Sequence, residues 1–494
     1  MSVATVPRPR RGSLLKRILV GRAMASARLE HTLLPKFLAL PVFSSDALSS
    51  VAYATEEILF VLSGATAAAS ARRFVMPIAL AIAALMVIVV SSYRQTVRAY
   101  PSGGGAYIVS KENLGTLPGL VAAAALLTDY VLTVAVSVAA GVFAITSARP
   151  ALLPYRVELA LGLVAFITLA NLRGVRESGT LFAVPTYAFI ASILAMVAVG
   201  LARCAAGCPA TSPVPPHPDL AAVAGPVGAF TILRAFSSGS TALTGVEAIS
   251  NGVPAFRRPQ AKNAADTLAM MGAIAIAMFL GISFLATHVP GITVSEERSV
   301  VAQIADAVFD GGIGFYVVQA FTAAILVLAA NTAYQDFPRL SAILARDRFM
   351  PRQFMNRGDR LVFSNGVLAL ATLAGLLLVA FDAEVTRLIQ LYVVGVFTSF
   401  TLSQLGMVRH WRKEGARGEA APRAWRRAMA INAVGALTTG VVLVVITATK
   451  FLHGAWIVIA AIPVIVSGFL AVHRHYASVS RQLRRGAVRP GEVG

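Results

Sequence analysis

Apolar residues run along the chain in stretches long enough to be membrane helices, separated by short basic, glycine-bearing or proline-bearing segments. Twelve such stretches lie near residues 36–62, 74–97, 117–147, 157–172, 180–202, 225–250, 265–289, 313–334, 362–381, 385–407, 428–449 and 454–473. A helix needs about 20 residues to cross the apolar part of a bilayer, so the pattern predicts about twelve crossings. Two of the stretches are interrupted in the same way. Asp46-Ala47-Leu48-Ser49-Ser50-Val51 in the first reads almost like Thr241-Ala242-Leu243-Thr244-Gly245-Val246 in the sixth. Polar breaks at corresponding places in two halves are the mark of a carrier whose two broken helices build one site at mid-membrane.

The expected fold is therefore an all-α polytopic membrane protein. Its first ten helices form a five-plus-five inverted repeat with helices 1 and 6 broken, and helices 11 and 12 are an appendix. Residues 1–34 form a basic cytoplasmic segment, 35–475 the transmembrane transporter domain and 476–494 a short basic tail.

Composition agrees. The 494 residues are 57% hydrophobic and 13% charged, with a mean hydropathy of +0.72, against about 25% charged in soluble chains. A net charge of +20 would suggest nucleic acid only if it formed a basic face on a soluble module. Here the charge lies between apolar runs, so no nucleic acid is expected. With the N-terminus inside, 34 Lys and Arg fall in inner segments and 8 in outer ones, with Arg234 inside a span. That asymmetry places both termini in the cytoplasm of a cell whose inner membrane holds the chain. No cleavable signal precedes the first span. The outer loop after the seventh stretch is acidic, carrying Glu296, Glu297, Asp306 and Asp310. Basic residues 409–427 suit anionic lipid heads, although orientation bias alone accounts for them. The outer loop from Ala206 to Pro218 is proline-rich and expected to be irregular. Cys204 and Cys208 share that outer loop, and a pair or two free thiols are both open.

Asp46 lies midway along the first stretch among Ser44, Ser45, Ser49 and Ser50. A carboxylate at that depth costs about 2.5–3.5 kcal/mol on insertion scales, so it faces a partner or a water-filled cavity. Capping of a second half-helix is a compatible role. Tyr53, seven residues on, returns to nearly the same face. Glu56 and Glu57 follow and are expected to line an outer vestibule. In the third stretch Asp129, Thr133 and Ser137 recur every fourth residue and share one helical stripe. In the sixth, Thr244 and Glu247 are three apart, preceded by Ser237, Ser238, Gly239 and Ser240 as an expected unwound segment. Tyr392 in the tenth is a further phenol at suitable depth. Pro101-Ser102-Gly103-Gly104-Gly105 lacks the lysine and hydroxyl of a phosphate loop and is expected to be a re-entrant or gate loop. With no metal-ligand spacing of His and Cys, no nucleophile beside a base and no nucleotide fingerprint, neither an enzyme nor a cofactor is expected.

The runs SSDALSSVAYATEEIL, YPSGGGAYIVSKENLG, TDYVLTVAVS, STALTGVEAIS, LAANTAYQDFPRL, RGDRLVFSNG and LYVVGVF resemble the APC (amino acid, polyamine and organocation) superfamily. They are most similar to its bacterial potassium importers of the KimA type, related to the KUP potassium–proton symporters. The resemblance runs from about Lys36 to His475 and implies import of potassium with protons. It implies ion coordination by Asp46, Tyr53, Thr133, Ser137, Thr244, Glu247 and Tyr392, with Asp129 and Tyr130 close by. Asp46, Asp129 and Glu247 are the candidates to carry the proton. The partners expected are the bilayer and the two cations. Relatives of this type carry a soluble domain after the last helix, whereas this chain stops about twenty residues later, which leaves a homodimer and control by a cyclic dinucleotide open. An amino-acid permease with Glu247 acting on the substrate amine is the alternative, and a sensor that binds without moving its ligand is a second.

Without that domain, the chain is expected not to bind a cyclic dinucleotide. Titration calorimetry on detergent-purified protein checks this, and micromolar or tighter binding would refute it.

Overall fold

The computed structural model describes residues 33–63, 72–103, 105–173, 179–218, 228–356, 363–418 and 422–485. The described residues are helical throughout, apart from connecting loops and one isolated parallel bridge between Leu34 and Phe256. Among the described residues, ten helical spans are long and apolar enough to cross a membrane. In chain order the helices are α1 (Lys36–Ser49), α2 (Val51–Ser63), α3 (Val75–Ala99), α4 (Ala106–Leu114), α5 (Thr116–Ala148), α6 (Arg156–Leu172), α7 (Gly179–Ala205) and α8 (Ala229–Gly239). They continue with α9 (Ala248–Asn251), α10 (Gln260–His288), α11 (Val300–Phe309), α12 (Ile313–Arg346), α13 (Ser364–Ala380), α14 (Val385–Arg417), α15 (Pro422–Lys450) and α16 (Ala455–Arg485). At 17 residues α13 is apolar but falls just short of the length of those ten.

Burial sorts these helices into a centre and a rim. The apolar window of α1–α2 is 89% buried, that of α5 78% and that of α14 72%, whereas α6 and α16 reach only 22% and 28%. The exposed side chains on the rim are large and apolar: Ile313, Leu437, Val444, Leu452 and Val464 all face outward. In a lipid solvent that arrangement leaves hydroxyls and carboxylates to the interior.

Close approach at the centre depends on small residues. The run from Ala122 to Ala125 keeps α5 thin on all sides there, and a side chain added at Gly395 of α14 would stand 2.9 Å from the Ala125 carbonyl oxygen. The two ends of the molecule differ. Loops 149–155, 206–217, 289–299 and 381–384 lie at the end that the charge pattern assigns to the outside, called here the outer end.

The two expected breaks are unequal. Around Ser50 the first crossing loses regular helix for one residue only: Ser50 is in the right-handed helical region, its N–H donates to the Asp46 carbonyl (3.1 Å), and its own carbonyl accepts from Ala54 (3.2 Å). The expectation of an unwound first span is corrected to a one-residue interruption. The Ser49 hydroxyl donates to the Asp46 carbonyl (3.0 Å), and the single proton of the Ser50 hydroxyl is shared between that same oxygen (2.9 Å) and the Thr244 hydroxyl (2.7 Å), which competes with the helix ladder and loosens it there. The sixth span is truly broken. After α8 comes a 3₁₀ turn over Ser240–Leu243, then Thr244 is extended and Gly245 takes φ +79° before the four-residue α9. Ser237 and Ser238, expected in the unwound part, are still helical.

Other expectations also change. Of the glycine run, Gly104 lies outside the described residues, and Gly105 immediately precedes α4, which packs on α5 and α14. The acidic outer loop contains α11, capped by the Ser299 hydroxyl accepting from Ala302 N–H at 3.2 Å. Cys204 and Cys208 form a disulfide. The loop after α7 is irregular through His217, as its prolines imply.

The appended α15 is fastened to the core by buried polar pairs. Ser92 of α3 donates to the Asn432 side-chain oxygen at 2.8 Å, and Thr439 donates to Gln404 Oε1 of α14 at 2.8 Å. Asn432→Leu is therefore expected to leave Ser92 without its acceptor and cost about 1 kcal/mol. The purified variant should melt a few degrees lower, which a thermal unfolding assay will show.

Candidate functional site

The turn that breaks the sixth span is pressed against Asp46. A Cβ built on Gly245 would stand 2.7 Å from the Ala47 nitrogen, 2.7 Å from Asp46 Oδ2 and 2.8 Å from Asp46 Cβ. Glycine is required both for its positive φ and for this approach. Thr244 reaches the first crossing by a hydrogen bond of 2.7 Å between its hydroxyl and that of Ser50, and Ser50 shares another of 2.9 Å with the Tyr53 phenol. One small hydroxyl thus joins the two interrupted segments and a phenol. Hydroxyls also accompany the 3₁₀ turn: Ser240 donates to Phe236 O (2.7 Å), Thr241 to Ser238 O (2.9 Å) and Thr244 to Thr241 O (2.9 Å). Each serves a carbonyl where the helix ladder changes.

From the other side α5 and α14 close the site. Asp129, Thr133 and Ser137 are all buried on the α5 stripe, as their spacing implies. The Thr133 hydroxyl and the Tyr392 phenol share a hydrogen bond of 2.9 Å. Gly395, one turn beyond Tyr392, packs 3.6 Å from Asp129 Cβ by its virtual side chain. Glu247 follows Gly245 in the turn rather than sharing a helical face with Thr244, and its charge acts on both Asp46 and Asp129.

Three carboxylates, Asp46, Asp129 and Glu247, are thus gathered in a buried region with at least five hydroxyl side chains. Each leaves an oxygen with no hydrogen-bond partner among the described residues: Asp46 Oδ1, Asp129 Oδ1 and Glu247 Oε2. Ser137 Oγ is likewise unpartnered. None of the three is ion-paired among the described residues. Buried acceptors without donors are costly, and their concentration at one place marks it as a site for something positive.

Tyr130, next to Asp129 on α5, has Glu247 and Asp129 among its charged neighbours. It looks into a cavity of about 380 Å³ at the inner end, lined also by Tyr107, Asn251, Asp336 and Arg339. Asn251 donates to the Tyr130 phenol (3.1 Å) and to Asp336 Oδ2 (3.3 Å). A Cβ on Gly105 would fall 2.3 Å from Asn251 Oδ1, and Gly103 and Gly105 form part of the cavity wall. Asp336 and Asn251 escaped the sequence reading as site residues. The signal for Asp336 was present, a carboxylate just past an apolar stretch, but the apolar pattern ends near residue 334 while α12 continues to Arg346.

At the outer end the room is much smaller, a cavity of about 40 Å³ lined by Glu56, His217, Glu296 and Glu384 among others. Glu56 fits the expected vestibule, and its Oε2 accepts from the Val300 N–H at 3.3 Å. Glu57 is buried away from it, with buried Lys450 of α15 and half-buried Arg234 as its neighbouring cations.

An interrupted sixth span packed against a buried carboxylate in the first, with α5 and α14 behind it, is a permease architecture, and the comparison with known sequences agrees. The chain belongs to the amino acid permease family of the APC superfamily, whose profile matches residues 40–470. It is 46% identical over 479 residues to the potassium transporter KimA of Bacillus subtilis (strain 168), a match that spans 97% of this chain and 77% of that protein. The chain is a multi-pass membrane transporter.

The packing at Gly245 predicts the effect of one methyl group. Gly245→Ala must place a Cβ within 2.7 Å of Asp46 Oδ2 and hold alanine at positive φ, a conformation costing about 1–2 kcal/mol. Uptake by membrane-inserted Gly245→Ala protein is expected to fall about tenfold or more, since about 1.4 kcal/mol is a factor of ten. Uptake within twofold of wild type at equal expression would show that the contact has no part in transport.

Proposed function

We propose that this chain is a secondary active carrier that imports potassium together with protons across the cytoplasmic membrane. The observation that carries the reading is the group of unpartnered carboxylate oxygens on Asp46, Asp129 and Glu247, surrounded by the hydroxyls of Tyr53, Thr133, Ser137, Thr244 and Tyr392. Hard oxygen donors with net negative charge replace the water around a weakly hydrated cation. The likeness to a potassium transporter supports the choice of ion. Tyr130, Asn251 and Asp336 then lie on the route between the central site and the inner solution.

In this reading the chain crosses the membrane twelve times, counting the interrupted sixth span and α13, and its first ten crossings form the two inverted repeats. Both termini lie in the cytoplasm, and residues 35–475 form the transporter domain. The large inner cavity and small outer one correspond to a state open toward the cytoplasm. Coupling to protons is favoured by energetics. A potential of 100 mV is worth about 2.3 kcal/mol per charge, roughly 50-fold accumulation, and a proton moving with the ion adds at least that much. Asp46, Asp129 and Glu247 are the groups that can take the proton, because a site holding three buried carboxylates and one potassium ion needs further positive charge.

The family's name favours amino acids as the alternative cargo. A substrate carboxylate would need the amide groups of the sixth-span turn for itself. In this chain Asp46 already stands against that turn.

Growth of a bacterium lacking all potassium uptake should be restored at micromolar potassium, and vesicles of the pure protein should accumulate rubidium under an inward proton gradient. Gradient-driven uptake of a labelled amino acid with no rubidium signal would assign the chain to the other branch. Asp46→Asn is expected to abolish rubidium uptake in protein that still reaches the membrane, and normal uptake would remove Asp46 from the site. Glu247→Gln is expected either to weaken potassium affinity or to uncouple the proton, which vesicle measurements of uptake and internal pH will separate. If both match wild type, Glu247 is structural.

A further inference from the structure

Outside the central site, three segments far apart in sequence bring carboxylates and an imidazole together at the outer end. His217 ends the irregular loop after α7, and its backbone N–H donates to the Val294 carbonyl at 2.8 Å. Its ring meets Phe60 edge-on at 5.2 Å. Glu296 lies in the loop between α10 and α11, and Glu384 is the residue just before α14. His217 Nε2 stands 3.5 Å from Glu296 Oε1 and 3.5 Å from Glu384 Oε1. The second oxygen of each glutamate is turned to an arginine: Glu384 Oε2 is 2.7 Å from Arg387 Nε, and Glu296 Oε2 is 3.6 Å from Arg156 Nη1.

The arginines therefore orient the two carboxylates so that their Oε1 atoms face the same imidazole nitrogen, with all three atoms within 4.8 Å of one another. His217 and Glu384 are 5% and 7% exposed, and neither Glu384 oxygen accepts a well-formed hydrogen bond among the described residues. At 3.5 Å the imidazole is too far from either carboxylate for a direct hydrogen bond, which needs about 2.7–3.2 Å. The spacing suits a shared ion. Tetrahedral coordination with bonds of about 2.0–2.1 Å sets donor atoms about 3.3–3.4 Å apart. The adjoining cavity of about 40 Å³ is lined by all three residues, and a water needs only about 10–15 Å³ of such space.

We propose that His217, Glu296 and Glu384 form a binding site for a divalent transition metal of the zinc class, with water as the fourth ligand. Arg156 and Arg387 are positioning residues that hold the carboxylates in place, as outer-shell groups do at metal centres. The metal would clamp the loop after α7, the loop before α11 and the start of α14 to one another. On the transport reading above, that clamp holds the outer end shut and slows uptake.

The test uses the full chain, purified without reductant, and zinc alone as probe. Equilibrium dialysis is expected to give about one zinc per chain at micromolar free metal. His217→Gln, Glu384→Gln and Glu296→Gln should each weaken that binding at least tenfold. Cobalt in place of zinc should give the visible absorption of a four-coordinate ion in wild type and lose it in His217→Gln. Glu296 is partly exposed, so its variant keeps the test open if a change at a buried ligand prevents folding, and metal-free melting curves identify such a failure. No binding by wild type at about 100 μM zinc, or equal binding by all three variants, overturns the site. External zinc should inhibit rubidium uptake by wild-type vesicles and not by His217→Gln vesicles. Zinc binding at the site with no effect on uptake overturns the clamp. A protein that moves no rubidium at all instead counts against the potassium reading, while the dialysis and cobalt results still decide the metal site.

Discussion

Everything at the centre of this molecule depends on the approach of the Gly245 turn to Asp46. Backbone groups freed from a helix inside a membrane must be satisfied locally, since lipid offers no hydrogen bonds. Here the Ser240, Thr241 and Thr244 hydroxyls meet carbonyls along the turn, and the Ser50 hydroxyl meets Thr244 from the facing segment. With the backbone thus supported, the carboxylates are not consumed as caps. They keep oxygens without a hydrogen-bond partner among the described residues, so a satisfied backbone is combined with unsatisfied acids in one buried region.

Polar chemistry in this fold is graded from the centre outward. Mid-span acids have hydroxyl neighbours and no cations. Toward the outer end Glu57 is accompanied by Lys450 and Arg234, and further out Glu296 and Glu384 are held by arginines. An acid with an arginine on one oxygen is held in a fixed orientation, whereas an acid among hydroxyls alone is free to change partners. That difference separates the central acids from those that brace the outer end.

The helices and their order were legible because lipid imposes a simple rule on composition, and the repeated DALSSV and TALTGV runs located both interruptions. Their inequality was not legible. Serines at 49 and 50 and the Thr244-Gly245 pair look alike as polar interruptions, yet glycine takes a positive φ without the cost that a serine pays, and it is the sixth span that turns. The stripe of Asp129, Thr133 and Ser137 was readable from spacing, because a helix converts spacing into a face. Asp336 and Asn251 were missed because their meeting with Tyr130 depends on the packing of α12 against α5 and the sixth span, and no local pattern encodes it. The His217, Glu296 and Glu384 group is invisible in the same way, its members being scattered over three loops.

The short backbone pairing at the inner end has a mechanical consequence. The Leu34 N–H donates to the Ala255 carbonyl at 2.8 Å and the Arg257 N–H donates to the Leu34 carbonyl at 3.0 Å, while Phe43 stacks on Phe256 with ring centres 5.5 Å apart. Together with the Ser50 to Thr244 bond at mid-span, these contacts pin the first and sixth crossings at two heights. Two rods pinned at two heights can tilt as a unit but cannot slide past each other. The contact between the Gly245 turn and Asp46 therefore keeps its dimensions when the pair tilts, and it is the spacing from this pair to α5 and α14 that a tilt changes.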